Sequence, residues 1–112
     1  MAYKVKIIDH VAIIKIKGVL SGDEETKEIH GQLKALVSEG IHRFVLDMSR
    51  VQWMNSHGLG MLMACYKAVQ DVNGQIGMAK TPDRVMKIMN VSKVNTLFDH
   101  FDSLKQAVTH LR

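Results

Sequence analysis

Phe44-Val45-Leu46-Asp47-Met48-Ser49-Arg50-Val51-Gln52-Trp53-Met54-Asn55-Ser56-His57-Gly58-Leu59-Gly60 is the stretch on which the fold of this chain turns. Its first three residues are apolar and rich in strand formers, which predicts a short strand buried on both faces. From Asp47 to Met54 the polarity is mixed, and the segment reads as a loop. Asn55 or Ser56 then offers a short side-chain oxygen to cap a helix. That helix is predicted from about Ser56 to Val72, stopped by Asn73-Gly74. In α/β folds, functional residues gather in loops beyond the carboxyl ends of parallel strands. The Asp47–Gly60 segment has that position.

Working outward, Val5-Lys6-Ile7-Ile8 and Val11–Lys17 flank Asp9-His10, and Ile14 and Ile16 alternate with Lys15 and Lys17. Two strands of period 2 joined by a turn-forming pair predict an antiparallel hairpin. Ser21-Gly22-Asp23-Glu24 has the form of a capping box. Ile29, Leu33, Leu36 and Val37 follow at helical spacing, with Gly40 as the stop. Gln75–Ala79 is a further strand, and Thr81-Pro82 opens a third helix with threonine as cap. A short strand near Leu97 and Phe98 precedes a last helix beginning at Asp102 or Ser103. The order β-β-α-β-α-β-α-(β)-α predicts one α/β domain over residues 1–112. Its sheet is mixed and mostly parallel, of four to five strands, with an N-terminal hairpin and about four helices.

Composition narrows the function. The single cysteine, Cys65, cannot form an internal disulfide and is placed mid-helix as a small core residue. The opening Met1-Ala2-Tyr3-Lys4-Val5-Lys6 alternates charged and apolar residues, unlike a signal peptide or a membrane span, so a cytoplasmic protein with no membrane partner is expected. The net charge of +4 comes from basic residues spread along the sequence without interleaved aromatics. This predicts no nucleic-acid partner and a modest preference for acidic protein surfaces. His10, His30, His42, His57, His100 and His110 show no zinc-ligand spacing, so no metal is expected. Met54 stands where a Gly-x-Ser-x-Gly nucleophile motif needs its first glycine, and no phosphate-cradling Gly-x-x-x-x-Gly-Lys-Ser/Thr loop exists. The chain is expected to be no enzyme and to need no cofactor.

Gly58 and Gly60 each cost a helix about 1 kcal/mol relative to alanine. Close packing is the expected reason for Gly60; for Gly58, packing and the approach of a partner weigh equally. Farther along, Leu59, Leu62, Met63, Tyr66 and Val69 form one apolar stripe, and Met61, Ala64, Cys65, Ala68 and Val72 another. One must face the sheet; the other is covered by a neighbouring helix or left as an adaptable binding patch.

Taken together, Asp47-x-Ser49, the aromatic Trp53 and Asn55-Ser56-x-Gly58-Leu59-Gly60 resemble the signature of STAS domains. More narrowly, they resemble the bacterial anti-sigma-factor antagonists. Gly18-Val19-Leu20 and the closing Val94-x-x-Leu97-Phe98…Leu104-x-x-Ala107 fall where that family has them, so the likeness covers nearly the whole chain. The resemblance implies phosphorylation of Ser56 by an anti-sigma factor serine kinase. It further implies binding of that kinase by the unphosphorylated form and resetting by a serine/threonine phosphatase. The chain departs from the family at Asn55, where aspartate is usual, and at His57, where a small residue is common. The partner-binding residues are expected to be Trp53, Met54, Asn55, Ser56, His57, Gly58 and Met61, with Trp53 and Met54 partly exposed. The alternative implied by the family is a scaffold subunit of a stress-signalling or transport complex, without a phosphorylation cycle.

Overall fold

A computed structural model describes residues 3–112; Met1 and Ala2, the start of the alternating opening segment, lie outside the described residues. Tyr3–Ile8 (β1) and Val11–Leu20 (β2) form the predicted antiparallel hairpin. Asp9 and His10 both adopt positive φ, 52° and 67°, the conformation of a two-residue turn that matches strand twist. Glu24–Ser38 (α1) follows, then Arg43–Met54 (β3), Ser56–Gln70 (α2), Gln75–Ala79 (β4) and Asp83–Val91 (α3). A 3₁₀ turn, Val94–Leu97, leads into Asp99–Phe101 (β5) and Leu104–Leu111 (α4). The five strands lie in the order β1-β2-β3-β4-β5, parallel from β2 onward. The predicted fold class is the observed one.

Two cores sandwich the sheet. On one face Ile14, Ile16, Phe44, Leu46 and Met78 pack against Ile29 and Leu33 of α1, Leu62 and Cys65 of α2, and Val85 and Met89 of α3. On the other, Val11, Ile13, Val45 and Ala79 meet only Ala107, Val108 and Leu111 of α4. A single eight-residue helix is about 12 Å long, so part of that second face has no helix over it.

Several local expectations are corrected. The mixed-polarity segment Asp47–Met54 is no loop: β3 continues through it, pairing with Lys17–Leu20. Register shifts between Lys15 and Lys17 and between Gly18 and Val19 break the two-residue alternation, which hid the strand. Gly18 takes φ +93° at the second shift, a conformation open to glycine. The first helix is capped by Asp23 rather than Ser21. Asp23 Oδ1 accepts the Thr26 amide at 2.9 Å and the Thr26 hydroxyl at 2.8 Å, and these bonds hold its carboxyl below the usual range. Gly40, at φ +98°, ends that helix as predicted, with Ile41 N–H bonded to the Leu36 carbonyl. Thr81 does not cap α3; Pro82 takes that place in extended backbone, one residue too late for the threonine hydroxyl to reach the first turn. The short strand falls at Asp99–Phe101, just after Leu97 and Phe98, and Ser103 caps α4.

In α2, neither predicted stripe is buried whole. The inward face combines Gly58, Met61, Leu62, Cys65 and Val69, while Leu59, Tyr66 and Ala68 are half-covered at its sides. Cys65 is fully buried and burial pushes its thiol up to about 12. The native chain is therefore expected to leave Ellman's reagent unreacted at pH 8 and to yield one thiol per chain in urea. Rapid stoichiometric reaction without denaturant would contradict this packing.

Candidate functional site

The site forms where the end of β2 meets the start of α2. Asn55 N–H donates to the Leu20 carbonyl at 3.2 Å, tying the end of β3 to the end of β2. The Asn55 side chain then does two jobs. Its Oδ1 accepts the amides of His57 at 2.9 Å and Gly58 at 3.1 Å, which makes it the helix cap. Its Nδ2 donates to the Ser21 carbonyl at 3.2 Å. A carboxylate could accept the two amides but could not make that donation. The departure at position 55 therefore has a structural counterpart in the contact with Ser21.

With Asn55 acting as cap, Ser56 is the first helical residue, exposed, its hydroxyl not used in capping. The first turn of α2 contains no acidic residue, so the positive end of the helix dipole is unneutralised beside that hydroxyl. Ser49 is different: its hydroxyl and amide both bond Asp47 Oδ1, at 2.8 and 3.1 Å. Its partner is the Asp47 carboxylate. Asp47 itself is buried and lies 3.8 Å from the Lys80 ammonium.

Of the two readings open for Gly58 the structure takes packing, and the close packing expected of Gly60 is corrected. Gly58 is buried, and any side chain there would strike the Leu20 carbonyl, so close packing explains it. Gly60 is exposed and a side chain there would meet nothing. Next to the site, Gly22 at φ +86° lies against the His57 side chain, with no room for a Cβ of its own.

Large apolar side chains reach solvent on the three elements that meet near Ser56. Trp53 is 48% exposed and Val19, its register partner on β2, 47%. Met63, 49% exposed, shares the outward face of α2 with Ser56, Gly60 and Lys67, at helical spacing. Five large hydrophobic side chains are exposed among the described residues, and three of them are Val19, Trp53 and Met63. Of the residues predicted to bind a partner, Trp53, Ser56 and His57 are exposed together. Met54 and Met61 are buried, at 1% and 8%, and Gly58 is buried as well, so none of these three is available to a partner. Met54 ends a strand and points into the core. Met61 lies on the inward face of α2, with the Cys65 Sγ 3.5 Å from its sulfur. Met63 and Gly60 were reachable from the sequence by counting helical turns from Ser56. Val19 was not, because its place beside Trp53 depends on the register shift in β2.

This geometry has relatives. The family model described as Mlab, STAS domain matches residues 4–104. The chain is 24% identical over 106 residues to the anti-sigma F factor antagonist of Paenibacillus polymyxa, covering 90% of this chain and 86% of that protein. It is 25% identical over 100 residues to BtrV of Bordetella bronchiseptica, provisionally named an anti-sigma factor antagonist, covering 89% of this chain and 85% of that one. Among solved structures, the anti-sigma factor antagonist SpoIIAA in its unphosphorylated form aligns with a TM-score of 0.84 at 16% identity, over 99% of this chain and 96% of that chain. The phosphorylated form of SpoIIAA, a Bacillus cell fate determinant, aligns at 0.77 and 15% identity, over 99% and 100%. With a family match running from the first strand into the last helix, and the same fold recovered by structure, this chain belongs to the STAS domain family.

Proposed function

We propose that the chain is an anti-sigma-factor antagonist that binds an anti-sigma factor serine kinase through the surface around Trp53, Ser56 and Met63, and that phosphorylation of Ser56 releases it. The observation that carries this reading is the Ser56 hydroxyl. It is exposed at the start of a helix that Asn55 caps and no acidic side chain neutralises. The relatives named as anti-sigma factor antagonists support the same reading.

The chemistry is a phosphoryl transfer. Ser56 Oγ attacks the γ-phosphorus of the kinase's ATP, the bond to the bridging oxygen breaks, ADP leaves, and the hydroxyl proton passes to a base on the kinase. The product carries about −1.5 to −2 charges and three acceptor oxygens. The amides and dipole at the start of α2 favour that charge, so the domain keeps its fold. The partner, seated on Val19, Trp53 and Met63, instead meets a hydrated dianion in the middle of an apolar contact. Burying it unpaired is costly, and the complex separates. A serine/threonine phosphatase delivers water to the phosphorus and restores the hydroxyl.

Incubation with a cognate anti-sigma factor and ATP is expected to add one phosphate, located on Ser56 by mass spectrometry and absent from Ser56→Ala. Tight binding with no phosphate transfer would favour the scaffold role instead. Ser56→Asp is expected to weaken the complex at least roughly tenfold, about 1.4 kcal/mol, while Ser56→Ala binds constitutively. Trp53→Ala should lose affinity while chemical denaturation moves by no more than about 0.5 kcal/mol, as for an exposed side chain; a large stability loss with unchanged affinity would assign Trp53 to the core. Gly60→Ala separates helix from interface. It should stabilise the free domain by about 0.5–1 kcal/mol and weaken the complex, since the partner approaches the bare backbone there; unchanged affinity would remove Gly60 from the contact.

A further inference from the structure

We propose that the cleft between the β1–β2 hairpin and α4 binds a single-chain amphiphile with a phosphate headgroup. Between the β1–β2 hairpin and α4 lies a cleft of about 860 Å³, within the range of about 300–1,000 Å³ that small-ligand sites occupy. Its rim carries Lys4, Lys6, Lys15, Lys80, Lys105 and Arg112, against only two carboxylates, Asp9 and Asp47. Both carboxylates already have partners: Asp9 faces Arg112 at 3.4 Å and Asp47 faces Lys80 at 3.8 Å. Six cations and two carboxylates leave +4, which is the formal charge of the whole 112-residue chain. The rest of the molecule is balanced. Basic residues that are scattered along the sequence therefore converge on one face of the fold.

The register makes the concentration more pointed. Lys4 stands directly opposite Lys15 across the hairpin, and beyond them Lys17 is paired with Arg50. Like charges directly opposed across strands destabilise a sheet, and here the two pairs are neighbours. All four of these residues also line an adjoining smaller cleft, together with Tyr3. An anion seated between Lys4 and Lys15 converts that repulsion into attraction, with charge-assisted hydrogen bonds.

The floor decides what kind of anion. Half-buried Ile8 and Leu104 line the cleft beneath the lysines, together with Ile13 and Val108, which are 5% and 8% exposed. An inorganic ion would leave this surface wet. A nucleic acid needs aromatic platforms for its bases, and the cleft has none. An acidic peptide needs partners for its own amides and carbonyls, and besides the charged rim only Thr109 offers a polar side chain. A hydrocarbon tail needs only the apolar floor, and a phosphate head needs only the rim. The proposal concerns a different surface from that around Ser56 and does not depend on the partner reading.

The test is a titration of the ¹⁵N-labelled chain, followed by amide shifts, with dodecyl phosphate below its micelle concentration, dodecyl maltoside, inorganic phosphate and a glutamate-rich octapeptide. Saturable binding of dodecyl phosphate alone, with shifts centred on Ile13, Lys15, Leu104 and Val108, is the expected result. Lys15→Glu and Lys105→Glu should each weaken it roughly tenfold or more, the worth of one hydrogen bond to a charged group. Lys27→Glu on the opposite face should leave it unchanged, and so should Ser56→Ala. Circular dichroism of each variant establishes that it is folded, and Lys105, on the surface of α4, serves should Lys15→Glu not fold. Equal binding of inorganic phosphate, equal binding of the maltoside, or tighter binding of the octapeptide would each overturn the proposal, as would affinity unaffected by both charge reversals.

Discussion

The carbonyl of Leu20 accepts the amide of Asn55, and the backbone of residue 58 lies so close to that same carbonyl that only glycine fits. This joint anchors the start of α2 on the end of β2, and the arrangement of the site follows from it. It places Asn55 where its side chain can cap the helix and reach Ser21, which leaves the next residue, Ser56, with a free hydroxyl at the helix start. It also holds His57 over Gly22, so the loop after β2 and the first turn of α2 form one surface. Loss of the close approach at Gly58 would shift the helix start that Ser56 occupies.

The same joint separates two kinds of surface on a small domain. At it, β2, β3 and α2 carry the exposed Val19, Trp53, Ser56 and Met63, suited to a partner that is held and released. On the sheet face under the short helix α4, the chain gathers its excess positive charge around an apolar floor. The division has a simple origin. Three helices, α1, α2 and α3, cover one face of a five-stranded sheet, whereas one eight-residue helix covers part of the other. Charged residues on the uncovered strands stay in water there, and because β1, β2 and β3 are adjacent their lysines and arginines become neighbours.

Much of the fold was legible because its signals are local. The hairpin turn at Asp9-His10, the periodicity of Ile29, Leu33 and Leu36, the stop at Gly40 and the cap at Asn55 or Ser56 each depend on residues a few positions apart. The errors fall where a long-range pairing overrides the local pattern. Asp47–Met54 looked like a loop because bulges disturbed its alternation, and only the pairing with Lys17–Leu20 makes it a strand. Met61 and Met63 are chemically alike and two positions apart, yet one is inside and one outside, since the direction in which α2 faces the sheet is set by Gly58. Gly60 was expected to be closely packed and is exposed, for the same reason.

The sequence by itself therefore determined the order and type of the elements, the family signature and the serine at the head of the second helix, because turns, caps and helical spacing act over one or two turns of chain. Only the tertiary structure decided which of the neighbouring residues reach solvent. It brought Val19 beside Trp53, buried Met54 and Met61, and drew lysines from both ends of the chain around one cleft. Exposure and charge density depend on strand register and on which face a helix covers, and those are properties of contacts between residues far apart in sequence.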